Sequence, residues 1–264
     1  MAVVRLKGKD VEYTQSGGGR DLLLLHSLLT DATVFERMLP MLRENHRVTC
    51  LNLPGFGASA PIALDTVADY ADHVAAAMDE LKLPATTDLF GNGFGAFVAL
   101  EVAIRHGARL GNLMVADVIP AFPEPAKAPF RMMAGKVREA GMEAVLDTAI
   151  GRMFPPAFQS GSAEVVAYRK ERLALVDANC FARACLGLAA LDLGPRLPGI
   201  RNRTLVMCGA LDQTTPPALA REVARAIPGA TYVEIEDSGH CPMLEQPRAL
   251  AAAMQAFGGE RARP

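Results

Sequence analysis

The run from Asp88 to His106 constrains this chain more than any other part of it. Asp88-Leu89-Phe90 leads into Gly91-Asn92-Gly93-Phe94-Gly95, and an apolar stretch follows from Ala96. A short apolar run closed by glycines reads as a strand, over Thr87 to Phe90, and the stretch from Phe97 to His106 reads as a helix. Glycines around the turn let strand and helix pack closely. A glycine at its tip accepts backbone angles that a side chain disfavours. The turn is a poor match to the dinucleotide fingerprint Gly-x-Gly-x-x-Gly, because Ala96 and Phe97 follow Gly95.

The neighbouring pattern extends this unit into a layered fold. Val3 to Leu6 and Val11 to Gln15 read as short strands. Leu22 to Leu25 and Val48 to Leu53 are continuous apolar runs, as expected of strands buried on both faces. Val34 to Leu42 has helical spacing. In the helix expected over Thr66 to Leu83, Val67, Tyr70, Val74, Met78 and Leu81 form one stripe, with Thr66 and Asp69 as a capping box. Leu113 to Val118 is a further strand. This alternation predicts an α/β fold, a mostly parallel central sheet with helices on both faces. From Pro120 to Leu197 only helical segments are expected. Alternation resumes with Thr204 to Cys208 as strand, Leu219 to Ile227 as helix, Thr231 to Ile235 as strand and Arg248 to Phe257 as helix. The expected organisation is therefore a core of residues 1–119 and 198–264, with residues 120–197 as a helical cap inserted late in the sheet, over its carboxyl edge. Residues 258–264 read as a frayed tail.

Bulk properties narrow the function. The chain has 264 residues and a net charge of −2, which argues against nucleic acid or an anionic membrane as the main partner. Its five cysteines are scattered without a Cys-x-x-Cys pair, as expected of reduced thiols in a cytoplasmic protein. The expected partner is a small-molecule substrate, with the chain acting as a monomer or homo-oligomer. No His-x-x-x-His spacing suggests a metal site, and no cofactor is expected.

Chemistry-bearing residues gather where strands end. Asp212 follows the strand Thr204 to Cys208, and His240 follows the strand Thr231 to Ile235, so both reach one rim of the sheet. A carboxylate beside an imidazole fixes its tautomer and stabilises its protonated form. Leu28, just after the strand Leu22 to Leu25, and Phe94, just after the turn tip, lie where a layout that resembles an α/β hydrolase would aim two backbone N–H donors at a developing oxyanion. Gly93 stands at the tip, where a nucleophile would sit, and carries no side chain. Ser27 is a possible substitute nucleophile, but shaping the loop is the preferred role. Cys208 and Cys241 are expected to be structural. Substrate-facing candidates are His26, Ser27 and Asn92 from the loops, and Phe130, Arg152, Met153 and Phe154 from the helical block. Solvated surface is the blander reading for Arg152, and packing against the core is the blander one for the apolar residues.

With these residues assembled, the chain resembles the 3-oxoadipate enol-lactonase-like branch of the α/β-hydrolase superfamily. The resemblance rests on Ser27-Leu28 with Thr30-Asp31, on Leu53-Pro54-Gly55-Phe56-Gly57-Ala58-Ser59, and on Arg152-Met153-Phe154-Pro155-Pro156-Ala157-Phe158. Leu188-Ala189-Ala190-Leu191-Asp192-Leu193, Asp212-Gln213-Thr214-Thr215-Pro216-Pro217 and Gly239-His240 extend it. It implies an α/β-hydrolase fold with a helical cap and cofactor-free hydrolysis of an ester or lactone. The family's acid and histidine map to Asp212 and His240. Its nucleophile, the centre of Gly-x-Ser-x-Gly, maps to Gly93. Trp is frequent in the family where Met153 stands, and this chain has no Trp. The resulting expectation is a hydrolase acting by non-covalent His–Asp general-base chemistry. The alternative is an inactive hydrolase, natural or an engineered Ser-to-Gly knockout, that binds its ligand without turnover.

Overall fold

The computed structural model describes residues 1–259. Its sheet has eight strands: β1 Ala2–Leu6, β2 Lys9–Gly17, β3 Arg20–Leu25, β4 His46–Leu51, β5 Asp88–Asn92, β6 Leu113–Ala116, β7 Thr204–Gly209 and β8 Thr231–Ile235. The order is β1-β2-β4-β3-β5-β6-β7-β8. β2 runs antiparallel to β1 and β4, and every pairing from β4 through β8 is parallel. The central strands β3 and β5 are buried on both faces, and Leu22 to Leu25 are at most 1% exposed. That is why they read as unbroken apolar runs and not as alternation.

The helices are α1 Leu39–Leu42, α2 Val67–Glu80, α3 Phe94–His106, α4 Glu124–Ala140, α5 Leu146–Met153, α6 Pro156–Gly161, α7 Ala163–Ala174, α8 Ala178–Ala190, α9 Pro217–Ala226, α10 Pro242–Glu245 and α11 Pro247–Gly259. α2 starts as its sequence demands. Thr66 Oγ1 accepts from Asp69 N–H at 3.1 Å, and Asp69 Oδ2 accepts from Thr66 N–H at 2.9 Å. Its stripe of Val67, Tyr70, Val74 and Met78 is buried, while Leu81 lies just past the helix end. The helix expected over Val34 to Leu42 is instead a 3₁₀ turn, Ala32–Phe35, followed by the one-turn α1. Asp31 caps that turn by accepting from Thr33 N–H at 3.1 Å, and Pro40 enters α1 as its first-turn proline, so the apolar stripe is split between two short helices. α11 continues through Gly259, so residues 258 and 259 are helical, and the rest of the expected tail, residues 260–264, lies outside the described residues.

Between β6 and β7 the chain forms α4 to α8 without a named strand. Its two ends are tied together: Ala121 bridges Asp192, and Leu193 N–H donates to Pro120 O at 2.9 Å. A buried ion pair ties its middle to the loop after β3. Arg172 Nε donates to Asp31 Oδ2 at 2.7 Å, and Arg169 Nη2 donates to Thr33 Oγ1 at 3.0 Å. Asp31 and Arg169 are each about 2% exposed at their side chains. Among the described residues no single helix is long and apolar enough to cross a membrane.

Candidate active site

The turn between β5 and α3 has an unusual backbone at Gly93, with φ 51° and ψ −119°. Gly93 N–H donates to Ala116 O at 3.0 Å, and Gly93 O accepts from Ala96 and Phe97 N–H at 2.9 and 3.1 Å. The turn is therefore bonded on both sides while its tip takes a conformation that a side chain rarely adopts. At Gly95 the constraint is room: a Cβ there would lie 2.3 Å from Leu25 O. The close approach of α3 to β3 is what the glycine spacing provides.

His240 reaches the tip. A Cβ at position 93 would lie 3.0 Å from His240 Nε2. His240 Nδ1 is 2.8 Å from Asp212 Oδ2. Nδ1–H therefore donates to the carboxylate, and the Nε2 lone pair faces position 93. The carboxylate is fixed in turn. Asp212 Oδ1 accepts from Thr214 and Thr215 N–H at 2.7 and 3.0 Å, and Oδ2 accepts from Thr215 Oγ1–H at 2.6 Å. Burial alone would push the Asp212 carboxyl up. The His240 charge and hydrogen bond, with the Thr215 donors, outweigh it and hold the carboxyl at about 2. For His240, burial disfavours the cation, but the Asp212 carboxylate overrides it and raises the pKa above the ordinary histidine value.

Asp117 and Glu245 complete the surroundings, and sequence reading passed over both. Asp117 lies just beyond β6, fully buried, at φ 58°. Its Oδ2 accepts from Asn92 Nδ2 at 2.6 Å and its Oδ1 from Gly209 N–H at 2.9 Å. Burial first, and the Asp212 charge second, push its carboxyl well above the usual range. The ligand-type atoms of Asp117, Asp212 and His240 lie within 4.8 Å of one another, and each carboxylate oxygen in the set already accepts an N–H or O–H. Glu245 braces the His240 loop by accepting from Gly239 and Cys241 N–H at 2.7 and 2.9 Å. The strand expected over Leu113 to Val118 encloses Asp117; the observed strand ends at Ala116, so Asp117 follows it as Asp212 and His240 follow theirs. Glu245 carries no signal, because it lies in a short helix after His240.

The expected oxyanion donors face the same space. Leu28 and Phe94 line a small cavity with Ser27, Gly93 and His240. Neither N–H donates to a protein group among the described residues. The loop carrying Leu28 is pinned. Ser27 N–H donates to Thr30 Oγ1 at 3.1 Å, and Ser27 O accepts from Thr30 N–H at 3.3 Å.

The other sequence candidates divide. Phe130 and Arg152 line the small cavity, and Met153, Phe154 and again Arg152 line a larger groove of about 620 Å³ on another side of His240. The Arg152 guanidinium lies 5.1 Å from the Phe130 ring, and burial depresses its pKa. Met153 also contributes its backbone, accepting from His240 N–H at 3.2 Å. His26 and Asn92 line neither cavity. His26 Nε2 accepts from Leu53 N–H at 3.1 Å, and its Nδ1–H donates to Ser27 O at 2.8 Å, so the ring holds two loops together. Asn92 supports Asp117. Cys208 and Cys241 are fully buried, and burial raises both thiols.

Comparison with known proteins agrees with this fold. The model of the alpha/beta hydrolase family matches residues 22–253. The chain belongs to that family. It is 29% identical over 236 residues to 3-oxoadipate enol-lactonase 2 of Acinetobacter baylyi, covering 89% of this chain and 87% of that one. The crystal structure of the enol-lactonase from Burkholderia xenovorans superposes with a TM-score of 0.91 at 28% identity, over 98% of this chain and 100% of that one. A thermophilic esterase from Thermogutta terrifontis, in a malate-bound structure, gives a TM-score of 0.89 at 28% identity, over 97% of each chain. The chain is an alpha/beta hydrolase of the esterase/lactonase type, with enol-lactonase-like homologues.

Proposed function

We propose that this alpha/beta hydrolase cleaves a small ester, lactone or related carbonyl substrate without forming a covalent intermediate on residue 93. The observation that carries this reading is the free His240 Nε2, 3.0 Å from the Cβ position of a residue that has no side chain. His240, oriented by Asp212, takes a proton from water. The water oxygen bonds to the carbonyl carbon, and the resulting oxyanion is held by Leu28 and Phe94 N–H. The imidazolium then returns the proton to the departing alkoxide as the carbon–oxygen bond breaks. An oxyanion donor in such a site contributes about 3–4 kcal/mol to transition-state stability. These steps use protein groups and water alone.

The segment 120–197 acts as a cap in this reading. It supplies Phe130, Met133, Arg152 and Leu188 to the small cavity, whose volume is about 20 Å³. That space is too small for an ester, so α4 and α8 must shift outward as substrate enters, or substrate must approach from the 620 Å³ groove. Asn92 and His26 support the site from behind it.

The test is hydrolysis of p-nitrophenyl acetate and δ-valerolactone by the wild-type chain beside His240→Ala. Turnover that disappears in the folded variant supports the reading. Turnover that persists places the chemistry elsewhere, and a wild-type chain that binds lactone without turnover supports the inactive alternative.

A further inference from the structure

Ser27 occupies the space that a side chain at position 93 would claim. Its Oγ lies 2.4 Å, and its Cβ 3.1 Å, from the Cβ position of residue 93. His240 Nε2 lies 3.0 Å from the same point. The Ser27 hydroxyl and the free imidazole nitrogen therefore converge on one spot, although they come from loops more than two hundred residues apart in sequence. Ser27 is 3% exposed, and its backbone is pinned on both sides by Thr30 and His26. Its hydroxyl forms no hydrogen bond to a protein group among the described residues, and in particular none to His240. A serine activated directly as a nucleophile is expected within hydrogen-bond reach of its base. Here the two groups converge without bonding to each other.

The small cavity between them has a volume of about 20 Å³. A single water needs roughly 10–15 Å³ of such space and two to four polar partners. Polar residues on its wall are Ser27, His240, Thr214, Thr215 and Arg152, and Leu28 and Phe94 line it with N–H groups that no protein group uses among the described residues. The remaining wall is apolar, with Phe97, Phe122 and Met133 among its residues.

We propose that Ser27 holds the attacking water for His240, in the place that a nucleophile on residue 93 would fill; this rests on the functional reading above. The Ser27 O–H donates to one lone pair of the water, and one water O–H points at His240 Nε2. The second lone pair faces the substrate carbonyl carbon. As the new carbon–oxygen bond forms, the water proton passes to Nε2, and the carbonyl π electrons move to the oxyanion at Leu28 and Phe94. Ser27 keeps its own proton throughout and is never acylated. The hydroxyl replaces the missing elbow side chain as an anchor for the nucleophile, not as the nucleophile.

The experiment compares wild type, Ser27→Ala, Ser27→Thr and His240→Ala on p-nitrophenyl acetate and δ-valerolactone, after thermal melting has shown each to be folded. Ser27→Ala should lower kcat about 3- to 10-fold with little change in KM, as loss of one hydrogen bond to the reacting water implies. Ser27→Thr, which keeps the hydroxyl, should recover most of kcat. With methanol added as a competing acceptor, Ser27→Ala should give a larger share of methyl ester than wild type. The vacated hydroxyl space then admits the methyl group, an effect that a merely structural role for Ser27 would not produce. An unchanged kcat in Ser27→Ala, while His240→Ala is inactive, overturns this proposal and leaves the functional reading standing. An acetyl adduct on Ser27 during turnover overturns it in favour of a covalent serine. Activity that survives His240→Ala overturns both.

Discussion

Placing a serine at position 93 tests whether the site is complete apart from one hydroxyl, and the geometry of Ser27 sets how to do it. In Gly93→Ser the new Cβ meets Ser27 Oγ at 2.4 Å, so the Ser27 hydroxyl must rotate away. It also meets Ser27 Cβ at 3.1 Å, which forces the loop back by a few tenths of an ångström. The backbone at φ 51° adds strain of about 1–3 kcal/mol for any side chain. At about 2–4 °C per kcal/mol for a chain of this size, that strain alone should lower Tm by roughly 2–12 °C, and the two contacts should lower it further. Gly93→Ser/Ser27→Gly removes both contacts and leaves only the backbone strain, so it should recover part of that loss. The ceiling on the catalytic gain is about 10⁶-fold, the loss seen when the serine is taken from a complete triad. A displacement of about 1 Å costs on the order of 10²-fold, which puts the single variant near 10⁴ and the double variant closer to the ceiling. The assay is the pre-steady-state burst of p-nitrophenolate, with mass spectrometry of the peptide spanning residue 93. A folded double variant with no burst and no acyl adduct would refute the assignment of Gly93 to the nucleophile position.

Three further outcomes follow from the same geometry. A general base works deprotonated, so kcat/KM should rise with pH through the His240 pKa; because Asp212 raises that pKa, the midpoint should lie above the ordinary 6.5, and a midpoint below it would contradict the pairing. Asp117→Asn removes a buried carboxyl that is itself pushed well above the usual range and acts on His240 only when ionised, so the rising limb should move to lower pH by less than in Asp212→Asn. Asp31→Ala leaves Arg169 buried without its counter-charge, and urea titration should show a loss of about 3–5 kcal/mol; a change under 1 kcal/mol would mean that the pair does not hold the helical segment down.

The sheet was legible because its central strands are buried on both faces and so read as plain apolar runs bounded by turns. Leu22 to Leu25 and Thr204 to Cys208 both fall inside observed strands. The segment Val34 to Leu42 misled because apolar spacing cannot register a break where Asp31 caps one short turn and Pro40 begins another. At the site, Asp212 and His240 could be read from their position just after strands. Asp117 has that same position, but an aspartate after a strand also serves as an ordinary turn residue, and only the buried contact with Asn92 and Gly209 separates the two. His26 and Asn92 show the opposite failure. Both neighbour the cavity in sequence, yet their side chains are spent on Leu53, Ser27 and Asp117. Sequence position brings a residue to a rim; which way its side chain turns is decided by hydrogen-bond partners that are distant in the chain.

That distinction matters most for positions 27 and 93, which compete for one volume. A side chain at 93 and the present orientation of the Ser27 hydroxyl exclude each other, since 2.4 Å is below any non-bonded contact of carbon and oxygen. The glycine therefore does two things at once. It relieves a strained turn, worth about 1–3 kcal/mol, and it lets a hydroxyl from the facing loop turn toward His240. Had Ser27 been bonded elsewhere in its loop, a water at Gly93 would lose the polar partner that faces it from that side. With Ser27 turned inward, the same gap is polar at both ends and has the unused N–H groups of Leu28 and Phe94 beside it. In the proposed reading a glycine at position 93 thus does not by itself make the site inert: what decides is whether the Ser27 hydroxyl can hold a nucleophile within reach of Nε2.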